Sequence, residues 1–249
     1  MNKVALVTGA GTGIGKACAQ ALLKEGWRVV FAGRRLDVLQ AAIDEAGAQA
    51  GQGTAMAADL SDDAQVQALF GQIRQRFGRL DLLFNNAGVS LPYALPGDLA
   101  ADEWRRAVGI NLNGAFYCLS HAFKLMQTQE PQGGRIINNG SISSQVPRPG
   151  AIAYAATKSA VTGLTRAAAL DGRPFSIAVG QIDIGNVTSD MTSKMSGGVR
   201  QADGSIKPEP CMDISAVVDT FMSMARLPLN ANILFTTVMA TQMPFVGRG

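Results

Sequence analysis

Tyr154 and Lys158 are the first residues in the sequence whose types and spacing indicate chemistry. They are four positions apart at the start of a segment with helical periodicity, 153–170. This spacing places the phenol and the ammonium group on one helix face, where the cation favours the phenolate. Taken alone, the pair is more often one face of an amphipathic helix. It predicts an acid/base tyrosine only if other polar groups converge on it.

Ser141 supplies a second hydroxyl group. It follows a predicted strand and precedes Tyr154 by 13 residues. The intervening loop, which contains Pro147 and Pro149, is long enough to fold back and set the serine beside the phenol. Two hydroxyls that converge in this way can share one substrate oxygen and polarise a carbonyl group.

A glycine-rich turn follows the first predicted strand, in the order Thr-Gly-Ala-Gly-Thr-Gly-Ile-Gly from Thr8 to Gly15. The pattern is TGxxxGxG, because Ile14 occupies the last glycine of a GxGxxG motif. Glycines allow close approach to the backbone, and the start of the following helix favours an anion. The turn therefore predicts a pyrophosphate site, the alternative being a tight strand-to-helix connection.

The end of the second predicted strand carries information about the cofactor. NAD-preferring dinucleotide folds place an acidic residue there to bind the ribose hydroxyls, and this sequence has Gly33 followed by Arg34. A guanidinium favours a 2′-phosphate. We therefore expect NADP(H), with NAD(H) as the alternative if Arg34 is only a solvated surface residue.

Two further strand ends carry polar or small residues. Asp59 and Leu60 follow the third predicted strand, and Asn85-Asn86-Ala87-Gly88 ends the fourth. Open parallel sheets bind ligands at the carboxyl ends of their strands. These residues are expected to line the cofactor site, although either run alone also fits simple turn chemistry.

Short apolar runs alternate along the whole chain with helical periodicity, which predicts an α/β fold with a parallel sheet. With 249 residues and 47% apolar residues, one domain with a large core is expected. The predicted strands are Val4–Thr8, Arg28–Ala32, Thr54–Ala58, Leu80–Asn85, Gly134–Asn139, Ser176–Gln181 and Ile233–Thr237.

Two of the predicted helices, 102–127 and 153–170, have small and apolar residues on more than one face. Such helices are buried beyond the core of one subunit. A homo-oligomer, either a dimer or a tetramer, is therefore expected.

The segment 186–212 is rich in glycine, proline and methionine and has weak periodicity. Long segments of this kind often close over a site. We expect a mobile substrate lid here.

Charge and cysteine content exclude several classes of function. The net charge is +3 without a basic run, so neither a nucleic acid nor a membrane is an expected partner. Three dispersed cysteines favour a reducing cytoplasm. His121 is the only histidine, no thiolate cluster accompanies it, and no metal site is expected.

The TGxxxGxG turn, the Asn-Asn-Ala-Gly run, Ser141, Tyr154 and Lys158 occur in an order and spacing that resemble the short-chain dehydrogenase/reductase family over nearly the whole chain. The resemblance implies a Rossmann-type, doubly wound sheet of seven parallel strands. It also implies hydride transfer between a nicotinamide cofactor and a carbonyl or secondary alcohol.

The same resemblance implies roles for individual residues. Tyr154 is the expected proton donor, Ser141 orients the carbonyl, Lys158 holds the nicotinamide ribose, and Asn111 anchors a proton-relay water. Together with Arg34, the expected cofactor contacts are Gly9, Thr12, Gly13, Ile14, Gly15, Asp59, Leu60, Asn86, Ala87, Gly88, Tyr154, Lys158, Val187 and Ser189.

Three departures from the family pattern bear on these expectations. Ile184 replaces the proline of the usual Pro-Gly after the sixth strand, Thr12 occupies a position that is often basic in NADP enzymes, and the ending 239–249 is unusual. A 3-oxoacyl-carrier reductase and a non-catalytic NADP(H) sensor remain alternatives. Arg148 is a candidate contact for a polar or anionic substrate, unless it is an ordinary exposed loop arginine.

Overall fold

A computed structural model describes residues 3–188 and 198–246 of the chain. All seven predicted strands form, most of them within two residues of the expected bounds. In chain order, the strands are β1 Val4–Thr8, β2 Arg28–Gly33, β3 Gly53–Ala57, β4 Leu82–Asn85, β5 Gly134–Asn139, β6 Ile177–Ile184, β7 Val199–Arg200, β8 Ile206–Lys207 and β9 Phe235–Val238.

Helices fill most of the intervals between the strands. The α-helices are α1 Gly13–Lys24, α2 Leu36–Asp44, α3 Asp63–Phe77, α4 Ala101–Ala107, α5 Gly114–Thr128, α6 Ile152–Asp171 and α7 Ile214–Arg226. Short 3₁₀ helices occur at Gly47–Gln52, Ile142–Ser144 and Arg173–Phe175.

The large sheet has seven strands in the order β3-β2-β1-β4-β5-β6-β9, and neighbouring strands are parallel. The strand order reverses between β1 and β4, so a crevice opens at their carboxyl ends. This arrangement confirms the predicted Rossmann-type fold. It also places the glycine turn, which follows β1, beside the Asn-Asn-Ala-Gly run, which follows β4.

Two apolar layers cover the faces of the sheet. On one face, α1, α2 and α7 pack against β-strand residues that include Val7 and Phe31. On the other, α3 and α5 pack against alternate residues of the same strands, such as Leu6 and Val30. Because both faces are covered, central strands such as β1 and β2 are nearly continuous apolar runs without polar alternation, as is typical of parallel strands between helices.

Strand β6 extends further than the sequence predicted. The prediction ended at Gln181, whereas the strand continues to Ile184 and pairs with β9 over its last four residues, from Gln181↔Phe235 to Ile184↔Val238. Ile184 stands where the resemblance implies proline, and an isoleucine keeps the backbone N–H and the β-propensity that proline lacks. All of β6 is buried, including its polar residues.

The predicted helix 102–127 is divided by a π-helical stretch. Residues Val108–Asn113 form this stretch between α4 and α5. A π-helical insertion of this kind often lies at a functional site. Here it contains Asn111, which is 2% exposed.

Part of the predicted lid lies within the described residues. Strands β7 and β8 form an antiparallel hairpin. Val187 and Met212, near the two ends of the predicted lid, form a parallel β-bridge. Since 189–197 lie outside the described residues, closure of a lid stays a prediction.

No helix in the described part of the chain is long and apolar enough to cross a membrane. In the same residues, no cluster of three or more His, Cys, Asp or Glu side chains is positioned to hold a metal ion.

The contact between the glycine turn and β4 depends on the absence of a side chain at Gly15. A β-carbon there would lie 2.3 Å from the Gly9 carbonyl oxygen and 2.6 Å from Asn86 Nδ2. Gly9 itself has φ +64°, a conformation that side chains disfavour. A β-carbon at Gly9 would lie 3.1 Å from Ala87 Cα, so the turn packs closely against the Asn86 side chain and the backbone that follows β4.

We expect Gly15→Ala to destabilise the protein by about 1–3 kcal/mol, the usual effect of an overpacked core. The matched control is Gly71→Ala in α3, where a β-carbon meets nothing within 4 Å. Removing a helical glycine should there stabilise by about 0.5–1 kcal/mol. Urea denaturation of both variants measures the difference, and two equal shifts would show that Gly15 is not crowded.

Candidate active site

The Asn86 side chain joins three strand ends in the crevice. Its Nδ2 donates to the Thr8 carbonyl at 2.9 Å, and its Oδ1 accepts from Asn139 Nδ2 at 2.8 Å. The Thr8 hydroxyl in turn accepts from the backbone N–H groups of Asn86 and Ala87 at 2.8 and 3.0 Å. The carboxyl ends of β1, β4 and β5 are therefore held as one unit.

The glycine turn has the features of a phosphate cradle. Gly9 and Gly13 both have positive φ, +64° and +54°. Thr12 is the N-cap of α1 in an extended conformation, without a capping bond from its side chain, and the first turn has no acidic residue. The N–H groups at the helix start thus face no competing side-chain acceptor from the cap, and they suit an anionic pyrophosphate.

The ends of β2 and β3 bring Arg34 close to Asp59. Hydrogen bonds from Ser61 hold the pKa of Asp59 below its usual range, and the positive charge of Arg34 acts in the same direction. Arg34 is exposed, and among the described residues it forms no salt bridge. A charged guanidinium is thus available at the position where the sequence predicted a 2′-phosphate contact.

Leu60 and Gly88 line the crevice on either side of the helix that contains Asn111. A β-carbon at Gly114, the first residue of α5, would lie 2.9 Å from the Leu60 carbonyl oxygen, so the helix approaches this strand end closely. A β-carbon at Gly88 would lie 3.3 Å from Asn111 Oδ1 and 3.9 Å from Lys158 Nζ. The Asn-Asn-Ala-Gly run therefore reaches the predicted catalytic residues.

Lys158 is fixed by a backbone carbonyl. Its Nζ donates to the Asn139 oxygen at 2.6 Å and lies 5.7 Å from the centre of the Tyr154 ring, and the residue is 4% exposed. Asn139 was not singled out from the sequence. It connects Lys158 to Asn86, because its side chain donates to the Asn86 amide oxygen.

Asn111 is anchored on both sides. Its Oδ1 accepts from the Val89 N–H at 2.7 Å, and its Nδ2 donates to the Val89 carbonyl at 2.9 Å. A longer bond of 3.3 Å reaches the Thr157 hydroxyl, next to Lys158 in α6. The residue therefore ties the π-helical stretch to the end of β4 and to the helix that contains Tyr154.

Ser141 is the N-cap of the 3₁₀ helix that follows β5. Its Oγ accepts from the Ser143 N–H at 3.1 Å, and its own N–H donates to Asp183 Oδ1 at 2.9 Å. The 3₁₀ helix is bound to α6 through the Ser159 hydroxyl, which donates to the Ser144 carbonyl at 3.1 Å. Ser141 and Tyr154 thus lie on two elements that are directly connected.

Asp183 is a site residue that sequence reasoning missed. A signal was present, because Gln181 and Asp183 are alternate polar residues on one face of an otherwise apolar strand. Burial raises the pKa of Asp183, while hydrogen bonds from Gln181 and Ser141 and the charge of Lys158 act to lower it.

The segments 90–96 and 145–152, which with 186–212 are expected to form the substrate pocket, contact each other and the described part of 186–212. The Ala94 N–H donates to the Gly150 carbonyl at 3.2 Å, and the Arg200 guanidinium lies 5.2 Å from the centre of the Tyr93 ring. Tyr93 is half exposed, so its ring is accessible at this junction. A β-carbon at Gly150 would overlap that ring.

Arg148 is engaged within the protein. Its guanidinium forms an ion pair with Glu209, whose side chain is 3% exposed, and donates to Asn186 Oδ1 at 2.7 Å. Asn186 and Gln201 donate to the same carboxylate at 3.0 and 3.1 Å. This buried pair fastens the hairpin segment to the loop after β5, and its arginine charge is already balanced by a carboxylate.

The predicted nicotinamide contacts are only partly described. Val187 is buried and belongs to the bridge with Met212. Ser189 lies outside the described residues. Its predicted contact with the cofactor stays a prediction.

The chain matches a known protein family. The short chain dehydrogenase family model matches residues 3–199. A 3beta-hydroxysteroid dehydrogenase of Mediterraneibacter gnavus is 38% identical over 202 residues, which cover 80% of this chain and 71% of that protein. A 3-oxoacyl-(acyl-carrier-protein) reductase of Staphylococcus aureus is 36% identical over 203 residues, 81% of either chain. The solved structure of acetoin dehydrogenase from Salmonella typhimurium has a TM-score of 0.81 at 30% identity and covers 96% of this chain and 94% of that one.

The Arg148–Glu209 pair predicts a pH-dependent contribution to stability. Burial acts to raise the pKa of Glu209, but Arg148, Gln201 and Asn186 hold it below its ordinary value of 4.5. A carboxyl with a lowered pKa stabilises the fold above its unfolded-state pKa, and this stabilisation is lost as the pH falls through the folded-state pKa.

We therefore expect Glu209→Gln to be less stable than the wild type near neutral pH. The difference should shrink as the pH falls from about 5 to about 3, because Glu209 of the wild type then becomes neutral as well. Urea midpoints across this range measure it. Glu130→Gln, a change at an exposed residue, is the control, and a pH-independent loss in Glu209→Gln would show that the ionised carboxylate is not the source.

Proposed function

The chain belongs to the short-chain dehydrogenase family, and we propose that it transfers a hydride between NADP(H) and a ketone or secondary alcohol. The observation that carries the proposal is the setting of Lys158. Its buried ammonium group is bound by the neutral Asn139 carbonyl, next to the Tyr154 ring. A buried cation without a carboxylate bond is costly, and such groups are typical of functional sites.

The residues at the crevice fit a bound nicotinamide dinucleotide. The glycine turn and the start of α1 would hold the pyrophosphate, Asp59, Leu60 and the Asn86–Gly88 run would contact the adenosine half, and Lys158 would hold the nicotinamide ribose. When bound, the cofactor supplies or accepts the hydride. The protein supplies orientation and proton transfer.

Tyr154 and Ser141 would act on the same substrate oxygen. In carbonyl reduction, the Tyr154 hydroxyl gives its proton to the oxygen, and the Ser141 hydroxyl donates a hydrogen bond that stabilises the developing charge. The nearby ammonium group of Lys158 stabilises the tyrosine oxygen once it has lost its proton. Asn111 would hold the water through which that proton is replaced.

Arg34 supports NADP(H) over NAD(H). A free guanidinium at the end of β2 would pair with the 2′-phosphate through charge-assisted hydrogen bonds. The positive charge of Arg34 acts on the pKa of Asp59, but the Asp59 carboxylate is already bonded to Ser61. It is therefore less available than a free acid to bind the ribose hydroxyls.

The names of the relatives define which substrates to test first. They describe a hydroxysteroid, an acyl-carrier thioester and acetoin. All three contain a ketone or a secondary alcohol, which is the chemistry that Tyr154 and Ser141 support. We propose a small or cyclic ketone, since Arg148 is balanced by Glu209 and the pocket mouth thus offers no free charge from it to a phosphopantetheine arm.

We also propose a homo-oligomer. Trp104, Phe116 and Leu170 lie on α4, α5 and α6, and each is at least 40% exposed. Exposed large apolar side chains are typical of subunit interfaces when they form patches. A cytoplasmic location remains a prediction, in keeping with free thiols at Cys18 and Cys118.

We expect Tyr154→Phe to lower turnover by roughly 10²-fold or more, because the ring remains while the proton donor is lost. Activity is followed by nicotinamide absorbance with a steroid ketone, acetoin and a 3-oxoacyl thioester. Affinity for the cofactor should be retained, and Tyr117→Phe on α5 is the matched control for loss of a phenol. Near-normal turnover in Tyr154→Phe would exclude the proposed acid.

We expect Arg34→Asp to raise the Kd for NADPH by about 10- to 100-fold, the usual effect of losing a charge-assisted bond and adding a repelling charge. Affinity for NADH should change little or improve, because the new carboxylate can bind the ribose hydroxyls. Fluorescence titration with both cofactors measures the ratio. Arg173→Asp, a charge reversal in another part of the chain, is the control, and a wild type that prefers NADH would contradict the assignment.

A further inference from the structure

We propose that Asp183 is a positioning residue, which fixes Ser141 and thereby the hydroxyl that orients the substrate carbonyl. The inference rests on the proposed function, because it concerns the same hydride-transfer site. It assigns a role to a buried residue that has no part in the proposed mechanism of Tyr154, Lys158, Ser141 and Asn111.

The carboxylate of Asp183 extends the β5–β6 ladder beyond its last backbone pair. The parallel register ends at Asn139↔Ile182. Gly140, the first residue after β5, still donates its N–H to the Ile182 carbonyl at 2.9 Å. The following N–H belongs to Ser141 and donates to Asp183 Oδ1 at 2.9 Å. A side-chain oxygen thus holds the backbone at the point where the chain leaves the sheet.

The space for this contact is provided by Gly140. A β-carbon there would lie 2.0 Å from Asp183 Oδ1 and 2.6 Å from Gln181 Nε2. No side chain fits in that gap without displacing the carboxylate. Gly140 directly precedes Ser141 in the chain, and Asp183 lies directly beside Ser141 in space. The absence of a side chain at Gly140 therefore leaves the room that the Asp183 carboxylate occupies.

A polar network connects the carboxylate to α6, the helix that contains Tyr154 and Lys158. Gln181 Nε2 donates to Asp183 Oδ1 at 2.8 Å and to the Thr162 hydroxyl at 3.0 Å. The Thr165 hydroxyl donates to Gln181 Oε1 at 2.9 Å. Asp183 is thus held from the side of α6 while it holds Ser141, so it fixes the two catalytic hydroxyls relative to each other.

The charges around Asp183 favour such a role over simple packing. The residue is 2% exposed, and an isolated buried carboxylate is strongly disfavoured. Here the N–H groups of Ser141 and Gln181 bind it, and the positive charge of Lys158 lies close enough to stabilise its ionised form. An apolar residue would fill the same space in β6 without the need for this support.

The test begins with Asp183→Ala and Asp183→Asn. We expect Asp183→Ala to lower kcat at least tenfold, since small displacements of an orienting group have large effects, while the Kd of the cofactor is unchanged. Asp183→Asn should retain kcat within about threefold, because its amide oxygen still accepts from the Ser141 N–H. The control is Asp81→Ala at the amino end of β4, where a carboxylate accepts the Val4 N–H at 2.8 Å; it should lose stability without a change in kcat.

A double-mutant cycle separates positioning from general damage. If Asp183 acts through Ser141, Asp183→Ala should change kcat less than threefold once Ser141→Ala has removed the hydroxyl. The proposal would be overturned if the kcat losses of Asp183→Ala and Ser141→Ala multiply in the double variant. A wild-type kcat in Asp183→Ala would also overturn it. If Asp183→Ala does not fold, Gly140→Ala takes its place in the cycle, because its methyl group displaces the same carboxylate, and the same two outcomes decide.

The proposed function fails separately from this inference. A fully active Asp183→Ala beside an inactive Tyr154→Phe would refute the role of Asp183 and leave hydride transfer standing. A wild type that transfers no hydride to any ketone would refute both.

Discussion

The whole site depends on the close contact between the glycine turn and the end of β4, which the missing side chain at Gly15 permits. Because of that contact, the Asn86 amide reaches the backbone of β1 and the side chain of Asn139 together. Asn139 then offers its carbonyl to Lys158. One chain of hydrogen bonds therefore runs from the glycine turn to Lys158, the proposed catalytic lysine. The position of Lys158 relative to this turn is a consequence of how β1, β4 and β5 are joined.

Much of the fold could be predicted from the sequence because its sheet is covered on both faces. Parallel strands between two helical layers are often continuous apolar runs, and β1 was found at its observed bounds on that signal. The same signal misplaced the end of β6. Gln181 and Asp183 interrupt the apolar run, so the prediction stopped at the first of them, although both are buried and paired. The C-terminal end of β6 is determined by tertiary hydrogen bonds, which local composition does not indicate.

The residues of the candidate site likewise fall into two groups, those that local sequence predicts and those that depend on tertiary contacts. Tyr154, Lys158 and Ser141 are predicted as catalytic residues by motif spacing along the chain, and Asn111 is predicted by the resemblance to the family. Asn139 and Asp183 could not be predicted, because their contacts cross between strands and depend on the register of β5 against β6. The partner of Arg148 could not be predicted for a similar reason, since Glu209 is 61 residues further along the chain. Motif spacing thus identifies the proposed reacting groups. The residues that hold them in place are determined by strand pairing, which local sequence does not indicate.

Lys158 and Asp183 show how the site buries an ammonium group and a carboxyl group without joining them. Each is bound mainly by neutral groups, the ammonium by the Asn139 carbonyl and the carboxylate by the N–H groups of Ser141 and Gln181. A direct salt bridge would bind the ammonium to a carboxylate and weaken its field at Tyr154. The ammonium group of Lys158 therefore remains available for the proposed contacts with a ribose and a phenol. The register of β5 against β6 places Asp183 beside the Ser141 N–H, so the strand pairing that holds the carboxylate also holds the backbone of the serine.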